Sequence, residues 1–276
     1  MNQATHFLSK LTIKKIILKL DEIFLGRRGF NFYSSAILDR RMTSYKKNQI
    51  SHGYSTQYKK HDNSLINELC DKYGSDKGEV NSYDNPYVWA SHNYADIYEL
   101  MFRLRRNDVN LVVECGLGTN NPEIYSSMGA DGKPGASLRL WRDYFPNAKI
   151  VGCDIDERVL FNEERIQTFG CDQTDQLSIS NFIDKAELLD NSVDIIIDDG
   201  LHEFHAGKSF FEGTINCLSE DGIYVIEDVN PVCFISYKDY FLELSDKYST
   251  HFFNLTRPGQ NIGGNRLIVV RKNPAC

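Results

Sequence analysis

From residue 111 onward the chain alternates between short apolar runs and longer segments of helical spacing. Runs suited to buried parallel strands occur at 111–115, 149–153, 193–197 and 223–226. A further apolar run ends in Thr168-Phe169-Gly170-Cys171-Asp172-Gln173. Between these lie segments with helical periodicity, 136–144 and 204–217 among them. Residues 250–255 and 266–270 read as two more strands, and the turn-rich stretch 257–265 predicts that they form an antiparallel hairpin at the sheet edge. Strands alternating with helices predict a doubly wound α/β sheet. Such sheets bind ligands outside the carboxyl ends of their strands.

The first part of the chain follows a different pattern. Over residues 6–25, Ile13, Ile16, Ile17, Leu20, Ile23 and Phe24 keep helical spacing, while Lys10, Lys14, Lys15 and Lys19 lie mostly off that stripe. Such a helix packs its apolar stripe on the body or on a second copy, making a homo-oligomer, or it lies on an anionic membrane surface. Residues 26–60 are polar, tyrosine-rich and weakly periodic, and read as a connecting arm. The expected organisation is an N-terminal helical extension over 1–60, a helical cap over 61–110 and the main domain over 111–276. No run approaches the ~20 apolar residues of a membrane-spanning helix, and the opening lacks the pattern of a secretory signal.

Composition narrows this picture. Of 276 residues, 41% are apolar and 25% charged, as in soluble globular proteins. With 31 Lys+Arg against 38 Asp+Glu the net charge is −7, which argues against nucleic acid as the partner. The 7 cysteines are odd in number and unpaired in spacing, which favours a reducing, cytoplasmic setting.

Each candidate chemical motif follows a strand. Glu114-Cys115-Gly116-Leu117-Gly118 closes the first, and the two glycines allow a tight turn and a close backbone approach to a ligand. A dinucleotide fingerprint would need a third glycine where Asn121 stands. The missing glycine and the preceding Glu114 fit a nucleoside cofactor without pyrophosphate. The next strand ends in Asp154, placed to accept both hydroxyls of a ribose or, alternatively, to cap a helix. Asp172 and Gln173, after the third strand, stand where an adenine edge would lie.

The densest chemistry is in Asp198-Asp199-Gly200-Leu201-His202 and in Glu227-Asp228. If the two strands they follow are neighbours, Asp199, Glu227 and Asp228 meet at one edge of the pocket. Such acids repel one another, and all-oxygen ligation of a divalent cation such as magnesium removes the conflict. The competing reading is that they cap helices and bind loop amides. His202, three residues beyond a candidate ligand, is placed as a general base or is a loop histidine.

These residues resemble class I S-adenosylmethionine-dependent methyltransferases. More narrowly, the chain is similar to the metal-dependent sugar O-methyltransferases of macrolide and tetracenomycin biosynthesis. The likeness covers about residues 65–271 and rests on DKYGSDKG (71–78), ECGLG (114–118), GASLRLW (135–141), GCDID (152–156), IIIDDGLH (195–202) and IYVIEDV (223–229). It implies a Rossmann-like sheet of seven strands with an antiparallel last strand. It also implies S-adenosylmethionine and Mg2+ (or another divalent cation) as cofactors, and a sugar or glycan-precursor substrate.

Asp199, Glu227 and Asp228 would then be metal ligands, with Asp199 and His202 catalytic. Glu114, Gly116, Gly118, Asp154, Asp172, Gln173, Asp198 and Ser137 would contact the cofactor. Tyr73, Ser75 and Lys77 would add hydrogen bonds from the cap, although Lys77 reads equally well as a surface lysine. The polar insert at 120–134 is longer than a minimal methyltransferase needs and is expected to shape the substrate site. Residues 1–60 have no counterpart in the antibiotic enzymes. Competing functions are methylation of a phosphorylated or other small acceptor, a nucleotide-dependent oxidoreductase, and a non-catalytic membrane-associated scaffold.

Overall fold

A computed structural model describes residues 64–80, 86–87, 89–124, 126–256 and 264–274, all within the second of the two units into which the chain divides, Tyr58–Cys276. The helix expected at 6–25 and the arm at 26–60 lie outside the described residues, and with them the expected membrane contact or self-association. Numbered in chain order, the described elements are α1 (Leu65–Tyr73), α2 (Tyr94–Phe102), β1 (Leu111–Cys115), α3 (Ala136–Tyr144), β2 (Lys149–Asp154), β3 (Ile166–Gly170), α4 (Gln176–Lys185), β4 (Val193–Asp198), α5 (Phe204–Thr214), β5 (Leu218–Ile226), α6 (Pro231–Glu243), β6 (Tyr248–Asn254) and β7 (Arg266–Lys272). No helix among the described residues is long and apolar enough to cross a membrane.

The strands form one seven-stranded sheet in the order β3-β2-β1-β4-β5-β7-β6. β1 to β5 pair in parallel, and β7 runs antiparallel to both β5 and β6. The order reverses between β1 and β4, which opens the crevice where doubly wound sheets bind ligands. The hairpin therefore forms, but its second strand inserts beside β5, leaving only β6 at the edge. β5 begins at Leu218, five residues before its apolar run, because half-buried Ser219 and exposed Glu220 and Asp221 extend it past the core, opposite a register shift in β4 between Val193 and Ile195. α5 accordingly stops at Thr214.

The cap is tied to the sheet by aromatic packing. Tyr98 and Phe102 of α2 meet Trp141 and Phe145, with Tyr98–Trp141 and Phe102–Phe145 ring centroids 5.1 and 5.5 Å apart, edge to face. All four are fully buried, and each contributes about 1.5–3 kcal/mol of hydrophobic stabilisation. This packing also aims two polar tips, the Tyr98 hydroxyl and the Trp141 indole nitrogen, toward the carboxyl ends of the strands. α1 ends at Gly74, whose left-handed φ of 75° directs the chain into Ser75–Lys77, and its N–H closes the helix on the Cys70 carbonyl. The loop that follows is fixed at both ends. Asn67 accepts from the Glu79 N–H, and the Lys77 carbonyl accepts from the Ala95 N–H at the start of α2.

Candidate active site

Two adjoining cavities open at the carboxyl ends of β1 to β5. The first, about 380 Å³, is lined by Gly116, Gly118, Thr119, Asp154, Asp156, Asp172, Gln173 and Asp199 among others. The second, about 220 Å³, is lined by Ser75, Asp76, Lys77, Tyr87, Trp89, Ser137, His202 and Asp228. Gly116, Gly118, Ser126 and Asp199 border both. Gly116 is required where it stands: its φ is 93°, and a Cβ there would fall 2.1 Å from the Asp199 carbonyl oxygen. The insert behaves as a wall, giving Ile124 to the first cavity and Ser127, Met128 and Lys133 to the second.

On the first cavity the acids are occupied by the backbone. Asp154 accepts from the Leu117 N–H at 2.7 Å and the Asp156 N–H at 2.9 Å, and burial raises its pKa. It caps no helix; Asp156 does, accepting from the Arg158 N–H and also from the Thr119 hydroxyl. Gln173 donates to Asp198 at 3.0 Å and accepts from the Leu201 N–H at 2.6 Å, so both ends of its amide brace the loop after β4. Asp172 accepts from Thr174 through both N–H and hydroxyl. Asp198 is buried behind this loop, and desolvation pushes its carboxyl up to about 6.

The second cavity ends on an acidic cluster built differently. Lys77, its side chain 2% exposed, places its ammonium 2.7 Å from Asp199, 2.6 Å from Glu227 and 3.3 Å from Glu114. Burial alone would lower its pKa, but the surrounding carboxylates outweigh that and hold the ammonium well above the usual lysine range. One positive charge among three acids leaves an excess of negative charge, and burial pushes both Glu114 and Glu227 upward. Trp141 donates to Glu114 at 2.5 Å, and the Tyr98 hydroxyl donates to Glu227.

Closer to the opening, one donor atom each from Asp199, His202 and Asp228 lies within 4.8 Å of the others. Asp228 also accepts from the Tyr94 hydroxyl at 2.5 Å and lies 3.4 Å from Nε2 of His92, which stacks on Tyr94. His202 and Asp228 both adopt left-handed backbone conformations, φ 59° and 50°. Non-glycine residues held in this region cost free energy and concentrate at functional sites.

The structure thus gathers Gly116, Gly118, Asp154, Asp172, Gln173 and Asp199 on the first cavity, and Ser75, Lys77, Ser137, His202 and Asp228 on the second. Glu114 and Glu227 stand behind Lys77. Tyr73 is elsewhere: its hydroxyl joins Asp143 and Arg142 on α3. Lys77 is no surface lysine. Tyr94, Tyr98, His92 and Asp76, which surround the acids, went unread in the sequence. The spacing of the two tyrosines, one helical turn apart, was the available signal.

No family model matches the chain. It is 32% identical over 161 residues to the 8-demethyl-8-alpha-L-rhamnosyl tetracenomycin-C 2′-O-methyltransferase of Streptomyces olivaceus, covering 58% of this chain and 36% of that protein. It is 32% identical over 162 residues to the mycinamicin VI 2″-O-methyltransferase of Micromonospora griseorubida, covering 58% and 37%. The chain therefore spans little more than a third of the length of these curated relatives. Among solved structures it resembles the MycE methyltransferase of the mycinamycin pathway, in complex with Mg, SAH and mycinamycin VI, at a TM-score of 0.55 and 22% identity over 78% of this chain and 55% of that one. The fold is an α/β methyltransferase fold. In it, the β1 turn with the Asp154 and Gln173 loops forms one half of the crevice, and the acid ends of β4 and β5 form the other.

Proposed function

We propose that this chain is an S-adenosylmethionine-dependent, divalent-metal-assisted O-methyltransferase acting on a sugar hydroxyl of a bacterial glycan or glycosylated metabolite. One observation carries the reading: Asp199, His202 and Asp228 converge at the edge of a cavity that adjoins the glycine turn. The cofactor fits the first cavity by its volume and by the bare backbone at Gly116. The cation fits the two carboxylates, because oxygen atoms of Asp199 and Asp228 within 4.8 Å of one another suit a hard divalent ion, and His202 beside them is left for proton transfer. A second positive charge would also offset the acids that Lys77 alone does not balance. Asp199 and Asp228 would hold it, with Glu227 adjoining through the ammonium it shares with Asp199.

When bound, the cation lowers the pKa of the hydroxyl it holds, and the sulfonium cofactor supplies the methyl group. The remaining work falls to the chain. The wall of the second cavity presents one hydroxyl to the junction near Gly116 and Asp199. His202 takes the hydroxyl proton at Nε2, the ring nitrogen 3.9 Å from Asp228. Holding donor and acceptor in line is the main contribution, up to ~7–11 kcal/mol of barrier in favourable cases. The relatives' sugar substrates and the magnesium of the solved MycE complexes support this reading. Six free, buried cysteines among the described residues suit a reducing compartment, and we place the reaction in the cytoplasm.

The test is His202→Ala. Binding of S-adenosylhomocysteine, measured by calorimetry, is expected to stay within about 3-fold, while labelled methyl transfer onto extracted glycans falls ~10²-fold or more. Undiminished transfer by the variant would remove His202 from the mechanism. Absence of transfer by the wild type to any glycan fraction would remove the sugar.

A further inference from the structure

The second cavity carries a feature that neither cofactor nor cation uses. Tyr87 and Trp89 line it with ring centroids 4.9 Å apart and planes inclined by 30°. Each ring is anchored at its polar end. The Trp89 indole N–H donates to Asp76 at 2.7 Å, and the Tyr87 hydroxyl donates to the Gly74 carbonyl at 2.8 Å. Trp89 is 39% exposed, whereas the chain's other tryptophan, Trp141, is fully buried. We propose that this pair is the platform on which the acceptor's sugar ring lies, and that the cavity selects a single neutral pyranose. The proposal rests on the methyl-transfer reading and adds to it the residues that choose the acceptor.

Chemistry and distance both support the assignment. The C–H groups on one face of a pyranose carry slight positive charge and pack on the electron-rich face of an aromatic ring. Its hydroxyls stay on the rim, facing polar partners. From the indole nitrogen to Asp228 the structure gives three short steps through shared atoms. They are 2.7 Å to Oδ2 of Asp76, 3.8 Å on to Nε2 of His92, and 3.4 Å on to Oδ1 of Asp228. These steps set an upper limit of about 10 Å on the separation, so a hexose lying on Trp89 has a rim hydroxyl within reach of the acid cluster.

Volume and charge set the selectivity. At about 220 Å³ the cavity is smaller than the ~300–1,000 Å³ of pockets for drug-sized ligands, and takes one sugar rather than a large aglycone. Its wall carries Asp76, Asp199 and Asp228. Of its lysines, Lys77 is already enclosed by acids, leaving Lys133. With Asp199 and Asp228 neutralised by the cation they would hold, Asp76 is the acid left beside the platform, and a phosphate seated there meets like charge, a repulsive element that discriminates against it.

The full chain, loaded with magnesium and S-adenosylhomocysteine, is titrated with methyl α-L-rhamnopyranoside and separately with α-D-glucose 1-phosphate while tryptophan fluorescence is followed. The same titration of Trp89→Phe, expected to lose the change, assigns it to Trp89 rather than to Trp141, whose indole donates to Glu114. A saturable change with the neutral glycoside, and none with the phosphate at the same concentrations, is expected. In turnover, Trp89→Ala is expected to raise the acceptor KM by about 10-fold or more while kcat and cofactor affinity stay within about 3-fold. Trp89→Phe, which keeps a ring, should stay near the wild-type KM.

An unaltered KM in Trp89→Ala with transfer intact overturns the platform and leaves the methyltransferase reading standing. Fluorescence binding of the glycoside without any transfer does the reverse. Tighter binding of the phosphate, or no saturable change with either sugar, overturns the platform.

Discussion

The two halves of the crevice satisfy their polar groups in opposite ways. Around the first cavity nearly every side-chain oxygen is taken up by the chain: Asp154 by two backbone amides, Asp156 by Thr119 and Arg158, and Gln173 at both ends. Around the second, acids outnumber the positive charges beside them. Three carboxylates share one ammonium, and Nδ1 of both His92 and His202 is buried without a hydrogen bond. A saturated wall is preformed and suits recognition of an invariant ligand. An unsaturated one keeps capacity for a cation, a substrate and a proton, at a cost to stability.

The largest test of that contrast removes the ammonium. Lys77→Met leaves Glu114 and Glu227 together in a dry interior, with Asp199 at its open edge, and breaking a buried ion pair of this kind costs about 3–5 kcal/mol. Chemical denaturation in EDTA should show a loss of that order, and added magnesium should recover more stability in the variant than in the wild type. A loss below about 1 kcal/mol would mean that the acids take up protons and that Lys77 is dispensable.

A crossed pair of substitutions separates the halves. Asp228→Asn removes a carboxylate from the converging group and should weaken Mn2+ binding by at least ~10-fold, leaving S-adenosylhomocysteine affinity unchanged. Asp154→Asn replaces one of two acceptor oxygens with a donor that faces an amide. It should loosen the cofactor product by about 10-fold and leave Mn2+ affinity unchanged. Calorimetric titration of both ligands into both variants reads the cross directly. Equal loss of both ligands in either variant would show that the crevice is one coupled unit.

How much of this was legible in the sequence follows the same division. The strand ends were readable because buried parallel strands announce themselves as apolar runs, and Gly116, Asp154, Gln173, Asp199 and His202, which follow those runs, line the two cavities. The topology of the hairpin was only half readable, since antiparallel pairing follows from the turn but insertion of β7 beside β5 does not. The cap was least readable. Lys77 reads equally as a cap donor and as a surface lysine because its acids lie up to 150 positions away in sequence. No local pattern distinguishes a lysine destined for such a pocket. Tyr98 and Tyr94 were hidden for the same reason, as their partners Glu227 and Asp228 both lie in the loop that leaves β5. Tyr73, chosen from the motif, is displaced because helical geometry turns it toward α3.

Tyr73 supplies the smallest prediction, and it concerns how the cap stays seated. Its hydroxyl, Lys72 and Arg142 all engage Asp143 at the end of α3, with Lys72 at 2.7 Å. Burial would raise the Asp143 carboxyl, but the hydrogen bonds from Lys72, Tyr73 and Arg142 prevail and hold it at about 2, below its ordinary 3.8. A folded-state pKa below the unfolded one gives stability that is present above the unfolded value and is lost as pH falls through the folded one. Asp143→Asn should therefore cost about 1 kcal/mol at neutral pH, after allowance for solvent screening at this partly exposed cluster. The difference from wild type should shrink between about pH 4 and pH 2. Because α1 leads directly into the loop that carries Lys77, the variant should also lower turnover slightly without changing the affinity for either ligand. A difference in stability that persists undiminished at pH 2 would show that Asp143 acts by packing rather than by charge.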